Sequence, residues 1–494
     1  MAKSIYETIK ENISLDGKLP YGFEPYPNND PGMIGFMPGA QDGIGMYITG
    51  ENADKAAMEI AELIISDPDM DRIAKIAAEN RALSVVDKLI DIIYERRKSV
   101  EPRRLAEIAM QLAFESGETE AVKIGIALLG LLDLSQMSET VNKLCTLAAY
   151  EELTLYVVNA FRSSDEERFN DILFEIAKKT HGWGKIDAVD RLEPKTAEIR
   201  RWLLTDGCSN AVGNEYLGLE CARKGDMISA LRGKMDEELF DGICLIMSAL
   251  VSDGPADGME EYEHAAEAMM LFVKAAPERI RTVFQLVSLF EVRDWLSKNE
   301  IENKMELLAL YNEAADSPRW SCLVQEILDR PESDEFHIAV ETGKKMGLDM
   351  TGKVKEAIKA MPYRYYGLLN IPYKDPQLAQ DMTEFLEDIL PLNDIAAGMG
   401  EYLFSPTLKN EHHCLDFALQ EIQNYPHMGE KLIAAALGSP VTRERNGACR
   451  ALEKWSEQLG LPISEMCPEL YALIKKIAPT ELNSELKMRM NKLL

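Results

Sequence analysis

A chain of 494 residues is too long to close around one compact core, and is expected to form roughly two to four globular domains or one repetitive array. Its hydrophobic fraction of 46% is that of a folded protein, which excludes wholesale disorder. The formal charge of −29 sets 83 acidic residues against 54 basic ones and repels polyphosphates and anionic lipid, so neither nucleic acid nor membrane is expected as a partner, whereas basic protein segments are.

The amino terminus, "MAKSIYETIKENISLDGK", carries charges throughout and has no apolar core of a signal peptide. The longest uncharged apolar run, "GICLIMSALVS", falls short of the roughly eighteen residues a membrane span requires, and the expected location is cytoplasmic. Residues 1–50 form a cap or loop segment distinct from the rest. After a short helix in "SIYETIKEN", glycine and proline recur, and the apolar runs "MIGFM" and "IGMYI" flank "PGAQDG". That pattern predicts a β-hairpin closed through Asp42-Gly43. Gly43 and Gly45 lack the third glycine and the unbroken helix of a dinucleotide fingerprint.

From residue 51 to 494 the pattern is helix, turn, helix. "NADKAAMEIAELIISD" sets Ala56, Ile60, Leu63 and Ile64 on one face, with Asn52 or Asp54 as cap, and Val85, Val86, Leu89, Ile92 and Ile93 continue the theme. The basic cluster Arg96, Arg97, Lys98, Arg103 and Arg104 reads as a helix end and its loop, where cations complement the dipole. Gly207, Gly225 and Gly254 (followed by Pro255) stand just past helical runs, where a left-handed residue is expected, and a division of the array is placed near 255.

Within this array "HGWGKIDAVDRL" reads as a break and a helix entry. His181, Gly182 and Gly184 make the turn, Trp183 plugs the gap between helices, and Ile186, Val189 and Leu192 face inward. The stretch "KIDAVDRL" also matches "RNGACRAL" 260 residues later: a cation at i, Ala188 or Ala448 at i+3, and Leu192 or Leu452 at i+7. A small residue lets two helices approach while the leucine fills the layer beneath. The arrangement resembles HEAT repeats, which implies an all-α fold: an α-solenoid of stacked antiparallel helix pairs in roughly six or seven units of about 40 residues. Independent helical bundles are the rival architecture.

The segment "HGWGKIDAVDRLEPKTAEIRRWLLTDGCSNAVGNEYLGLECARKGD", with the later "DGPADGMEEYEHA", is similar to one shared by a family of Gram-positive bacterial proteins labelled limonene hydroxylase, over roughly residues 178–268. The resemblance implies a monoterpene-oxidising activity, and it carries over no catalytic residues.

Hydroxylation of an unactivated carbon requires a cofactor, and each usual kind leaves a trace in sequence. Cys208, Cys221 and Cys244 lack the glycine-rich loop of a haem thiolate, and a di-iron centre wants two Glu-x-x-His pairs where only Glu261 with His264 is present. The eight cysteines contain no CxxC pair, which fits a reducing compartment. His412 and Asp416 share a helix face at i and i+4 and are the candidate metal ligands; the next position on that face is the neutral Gln420. HExxH, GxSxG, Walker and kinase signatures are absent. No catalytic residue and no cofactor is assigned. The expectation is a non-catalytic interaction scaffold, with Tyr363, Tyr365, Tyr366 and Tyr373 as contact anchors or inter-helix packing; the alternative is a limonene-type monooxygenase or binding protein acting on a small apolar molecule.

Overall fold

A computed structural model describes residues 3–20, 22–25, 36–45, 54–66, 68–161, 166–405 and 407–494. The described residues form α-helices and short helical turns with no β-strand; one isolated bridge joins Tyr402 and Val441. The all-α expectation holds. No helix among the described residues is long and apolar enough to cross a membrane.

The chain divides into two compact units. The first comprises the described residues of Met1–Asn28, Gly35–Ile280 and Ser288–Ala315, and the second those of Arg281–Val287 and Asp316–Leu494. Residue 255 lies inside the first unit, in the loop between two of its helices.

In the first unit the helices run α1 Ile5–Asn12, α2 Ala40–Gly45, α3 Asp54–Ile65, α4 Met70–Glu79, α5 Ala82–Glu95, α6 Pro102–Glu115, α7 Thr119–Leu129, α8 Ser138–Leu147, α9 Glu151–Ala160, α10 Glu166–Lys179, α11 Trp183–Arg191, α12 Ala197–Trp202, α13 Glu215–Lys224, α14 Met227–Arg232, α15 Glu237–Leu250 and α16 Ala265–Arg279, followed by most of Val283–Lys298 and by Lys304–Ala315. Their starts are set locally. The side chains of Ser4, Asp69, Thr196 and Asp236 each accept from a backbone N–H in the first turn, and Pro102 occupies the first position of α6, where a missing N–H costs nothing. The apolar faces follow the 3.6-residue period: Ala56, Ile60 and Ile64 of α3, and Val85, Leu89, Ile92 and Ile93 of α5, are buried. Successive odd-numbered helices pack on one another, α5 on α7, α7 on α9, α9 on α11, α11 on α13 and α13 on α15, while α6 lies on α7 and α10 on α11.

In the second unit Pro318–Leu328 packs on Phe336–Lys345, Lys409–Ile422 and Glu430–Leu437 both pack on Thr442–Leu459, and Glu430–Leu437 also meets Pro468–Ile477. Tyr365 and Tyr373 are buried here: the Tyr365 hydroxyl donates to the Pro331 carbonyl, and that of Tyr373 lies 2.7 Å from Thr383 Oγ1. Tyr366 is half-buried, its hydroxyl 3.2 Å from His413 Nδ1.

Two local expectations are corrected. Asp42-Gly43 does not close a hairpin but lies within α2, because the Asp42 side chain is drawn into a buried ionic cluster; most of the flanking apolar runs fall outside the described residues. The glycines at the helix stops are not left-handed either. Gly225 has φ −74°, Gly207 ends a π-helical turn at Leu203–Gly207, and Gly254 is not at positive φ. After α13 the left-handed position falls to Asp226 (φ 55°), whose side chain also accepts from Ser229 N–H to cap α14. An aspartate tolerates that region better than most residues and supplies the cap as well.

The paired stretches share a buried cation. Lys185 donates to the carbonyls of Asp206 and Ser209 at 2.8 and 2.7 Å, and Arg445 to those of Ser439 and Gly400 at 2.8 and 2.9 Å. Ala188, Leu192, Ala448 and Leu452 are all fully buried. The cation at i thus ties two main-chain carbonyls together in each copy, although that of Asp206 also accepts from Ser209 N–H.

A clamped amino-terminal segment and the candidate binding pocket

Lys123, on α7, is 1% exposed and should not be there alone. Its three ammonium protons find three carboxylates: Asp42 Oδ2 at 2.7 Å from α2, Glu120 Oε1 at 2.8 Å one turn back on α7, and Glu152 Oε1 at 2.5 Å from α9. Each carboxylate spends its other oxygen nearby. Glu120 Oε2 accepts from the Ala82 N–H at the start of α5 (2.6 Å), Glu152 Oε2 from the Gly39 N–H (2.6 Å), and Asp42 Oδ1 from Arg81 (2.8 Å), while the Tyr156 hydroxyl donates to Asp42 Oδ2 at 3.1 Å. Burial alone would lower the lysine pKa, but Glu152, Glu120 and Asp42 together outweigh it and hold the ammonium well above its ordinary value. The network ties residues 39–42 to α5, α7 and α9.

The same segment closes over Trp183. A Cβ on Gly43 would stand 2.3 Å from the indole, so only glycine lets α2 lie on that ring, and Tyr216 covers it from α13 at 5.2 Å between centroids. Trp183 opens α11, and the helix start is capped by a carboxylate from α9. Glu151 accepts from the backbone N–H groups of His181 (2.8 Å), Gly182 (2.9 Å) and Gly184 (3.2 Å). A negative charge there satisfies donors that the helix cannot and complements its dipole. Both glycines are sterically required: a Cβ on Gly182 would lie 2.4 Å from Glu151 Oε2, and one on Gly184 2.5 Å from Thr154 Oγ1. The His181 carbonyl accepts from Ala211 N–H, and that of Gly182 from the Asn210 amide. The His181–Gly184 backbone is therefore pinned, while the imidazole stays at the surface, its pKa lowered by partial burial and by Lys18.

Against this turn lies a half-open pocket of about 310 Å³. Its apolar wall is Leu19, Phe23, Phe36, Met37 and Tyr150, with Phe23 edge-on to Tyr150 at 5.9 Å. Phe36 and Met37 are 56% and 41% exposed and stand side by side at the rim of the cleft. Polar lining comes from Glu24, Glu151, Lys179 and His181. Glu151 is already committed to three N–H groups, and His181 is the single imidazole among the described lining residues.

Behind the turn, Asp187 of α11 has its side chain 14% exposed; the Arg191 guanidinium donates to its main-chain carbonyl at 3.0 Å and stands 3.7 Å from its carboxylate. Burial pushes its carboxyl pKa up to about 7, the negative charges of Asp190 and Glu151 add to the rise, and Arg191 only partly opposes it. The folded protein thus holds a proton there that the unfolded chain, with a carboxyl near about 3.9, releases. Stability from this group is greatest at acid pH, falls as pH rises from about 4 to about 7, and is level above. Asp187→Asn is expected to remove that slope, so that its stability relative to the parent rises between pH 4 and pH 8 by up to about 4 kcal/mol, about three pKa units at about 1.4 kcal/mol each. Urea midpoints at pH 4, 6 and 8 measure it; parallel profiles for the two proteins would refute it.

The two candidate metal ligands each have a partner of their own. His412 is buried with Nδ1 at 2.8 Å from Glu444 Oε1, whereas Asp416 pairs with Arg443 at 2.5 Å. Glu261 sits in a 3-10 turn with its carbonyl on Arg223, and His264 stands just before α16 with its ring against Tyr262. The residues that build the pocket (Phe23, Phe36, Met37, Tyr150, Glu151) and its clamp (Asp42, Lys123, Glu152) carry no motif; the signal available in sequence was the helix break at Gly182 and Gly184 beside Trp183. No known protein-family model matches the chain, and no curated protein is similar to it.

Proposed function

We propose that this protein is a non-catalytic interaction scaffold of stacked helix pairs, and that the pocket beside the clamped amino-terminal segment receives an apolar side chain from a basic segment of a partner protein. The pocket carries the reading: an aromatic and aliphatic wall with exposed Phe36 and Met37, next to a pinned turn whose carboxylate is used up in capping. The run of odd-numbered helices packing each on the next supports the stacked arrangement of the HEAT type. The charge of −29 supports a basic occupant. A second reading is a small apolar molecule such as a monoterpene in the same volume, favoured by the pocket's size and apolar lining.

A fluorescent peptide of lysines around a central Phe-Leu pair is the probe. It is expected to bind saturably, to weaken as salt rises, and to lose affinity on Phe36→Ser, a change at an exposed position that leaves the melting temperature unaltered. Equal binding of a glutamate-flanked peptide, or indifference to Phe36→Ser, would overturn the proposal. Limonene that binds where the peptide does not would transfer the pocket to the second reading.

A further inference from the structure

His427, Glu430 and Cys467 bring an imidazole, a carboxylate and a thiol to one point in the second unit. His427 Nδ1 stands 3.0 Å from Glu430 Oε1, Cys467 Sγ 3.4 Å from the same oxygen, and Sγ 3.8 Å from Nδ1. A zinc ion with bonds of about 2.3 Å to sulfur, 2.05 Å to nitrogen and 2.0 Å to oxygen at tetrahedral angles separates those atoms by about 3.6 Å (S–N), 3.5 Å (S–O) and 3.3 Å (N–O). The observed triangle matches one face of that tetrahedron to within about 0.3 Å. We infer that His427, Glu430 and Cys467 form a binding site for a single zinc ion, or a divalent transition metal of similar softness, with its fourth position open to solvent.

The surroundings fit that role. His427 adopts a left-handed backbone (φ 68°), which is unfavourable for a non-glycine residue, and Gly429 follows at φ 78°. This double reversal turns the imidazole back over the start of Glu430–Leu437, where Glu430 is the first residue, and the ring rests 6.3 Å from that of the buried Trp455. Cys467 comes from the cap before Pro468–Ile477 and is 2% exposed, while the side chains of His427 and Glu430 are 50% and 40% exposed. The thiol is therefore held from behind and the ion enters from the open side. A mixed sulfur, nitrogen and oxygen set selects zinc or cobalt over calcium or magnesium, which want oxygen alone. As the metal–sulfur bond forms the thiol proton leaves to solvent, so charge and atoms balance.

The test is titration of the full, chelator-treated chain with Co²⁺ alone, then Zn²⁺. One equivalent of cobalt is expected to give a thiolate-to-cobalt charge-transfer band and tetrahedral visible bands, both bleached by one equivalent of zinc. Cys467→Ser should abolish the charge-transfer band, and Cys322→Ser, at an exposed cysteine elsewhere, should leave it intact. Glu430→Gln should keep the band and weaken binding by about 10–100-fold, at least the cost of losing an outer-shell partner. That variant tests the site even if Cys467→Ser fails to fold. No thiolate band in the parent protein, a band that survives Cys467→Ser, or unchanged affinity in Glu430→Gln would overturn the inference and leave a hydrogen-bonded trio.

Discussion

Lys123→Ala is expected to destabilise the first unit by about 3–5 kcal/mol, the usual cost of removing one partner from a buried ionic cluster. The loss is large because three carboxylates face the lysine and two routes of relief are poor. Asp42 is 2% exposed and cannot hydrate in place, and Glu120 and Glu152 each have one oxygen already committed to a backbone N–H. The cheapest escape is for α2 to swing out, which uncovers Trp183. Urea denaturation followed by tryptophan fluorescence is the readout: a lower midpoint with a shifted folded-state emission. Lys123→Met with Asp42→Asn should recover part of the loss, since it removes the least hydrated charge together with the lysine. With its pKa held above the ordinary lysine value, the ammonium contributes fully below about pH 10.4 and its contribution fades only as pH climbs through the higher folded value. The deficit of Lys123→Ala should therefore be the same at pH 7 and pH 9.

Arg445→Met should cost the second unit a similar amount, about 3–5 kcal/mol. Arg445 and Glu481 are both fully buried as side chains and meet through two parallel bonds of 2.8 and 2.9 Å. Here, however, the double variant Arg445→Met with Glu481→Leu is expected to recover less. The carbonyls of Ser439 and Gly400 also depend on the guanidinium and stay without a donor whatever stands at 481. Burial alone would raise the Glu481 carboxyl pKa, but Arg445 and the Asn483 N–H outweigh it and hold it below the ordinary glutamate value. Its contribution is present above about pH 4.3 and is lost as pH falls through the lower folded value, so the parent loses second-unit stability in acid and Arg445→Met loses little more. Denaturation at pH 3.5 and pH 7 separates the two.

What could be read from sequence was whatever local periodicity decides. The buried faces of α3 and α5 fell where the 3.6-residue pattern put them, except that Leu63 and Val86 are only half-buried, and the break at His181–Gly184 is a break because two glycines there admit a carboxylate and a threonine that any Cβ would exclude. The partners of those glycines, Glu151 and Thr154, lie some thirty residues away and leave no mark near them. Asp42-Gly43 is a strong hairpin signal by itself, and what overrides it is Lys123, 81 residues downstream. Lys123 in turn stands in "TEAVKIGIALL", a lone cation between acidic residues and apolar ones that carries no motif. The shared cation of the paired stretches was visible at Lys185 and Arg445, but its burial and its carbonyl partners were not. His427, Glu430 and Cys467 form no motif, because the thiol arrives from a separate helix start 37 residues on from the glutamate.

Amide hydrogen exchange at Gly39, Gly43, His181, Gly182 and Gly184 reads the clamp that shapes the pocket. Slow exchange at all five in the parent, with the 39–43 amides opening together in Lys123→Ala, is what a segment locked onto α7, α9 and α11 must give. Exchange at unprotected rates across residues 39–43 in the parent would mean that no clamp exists and that the pocket has lost a wall.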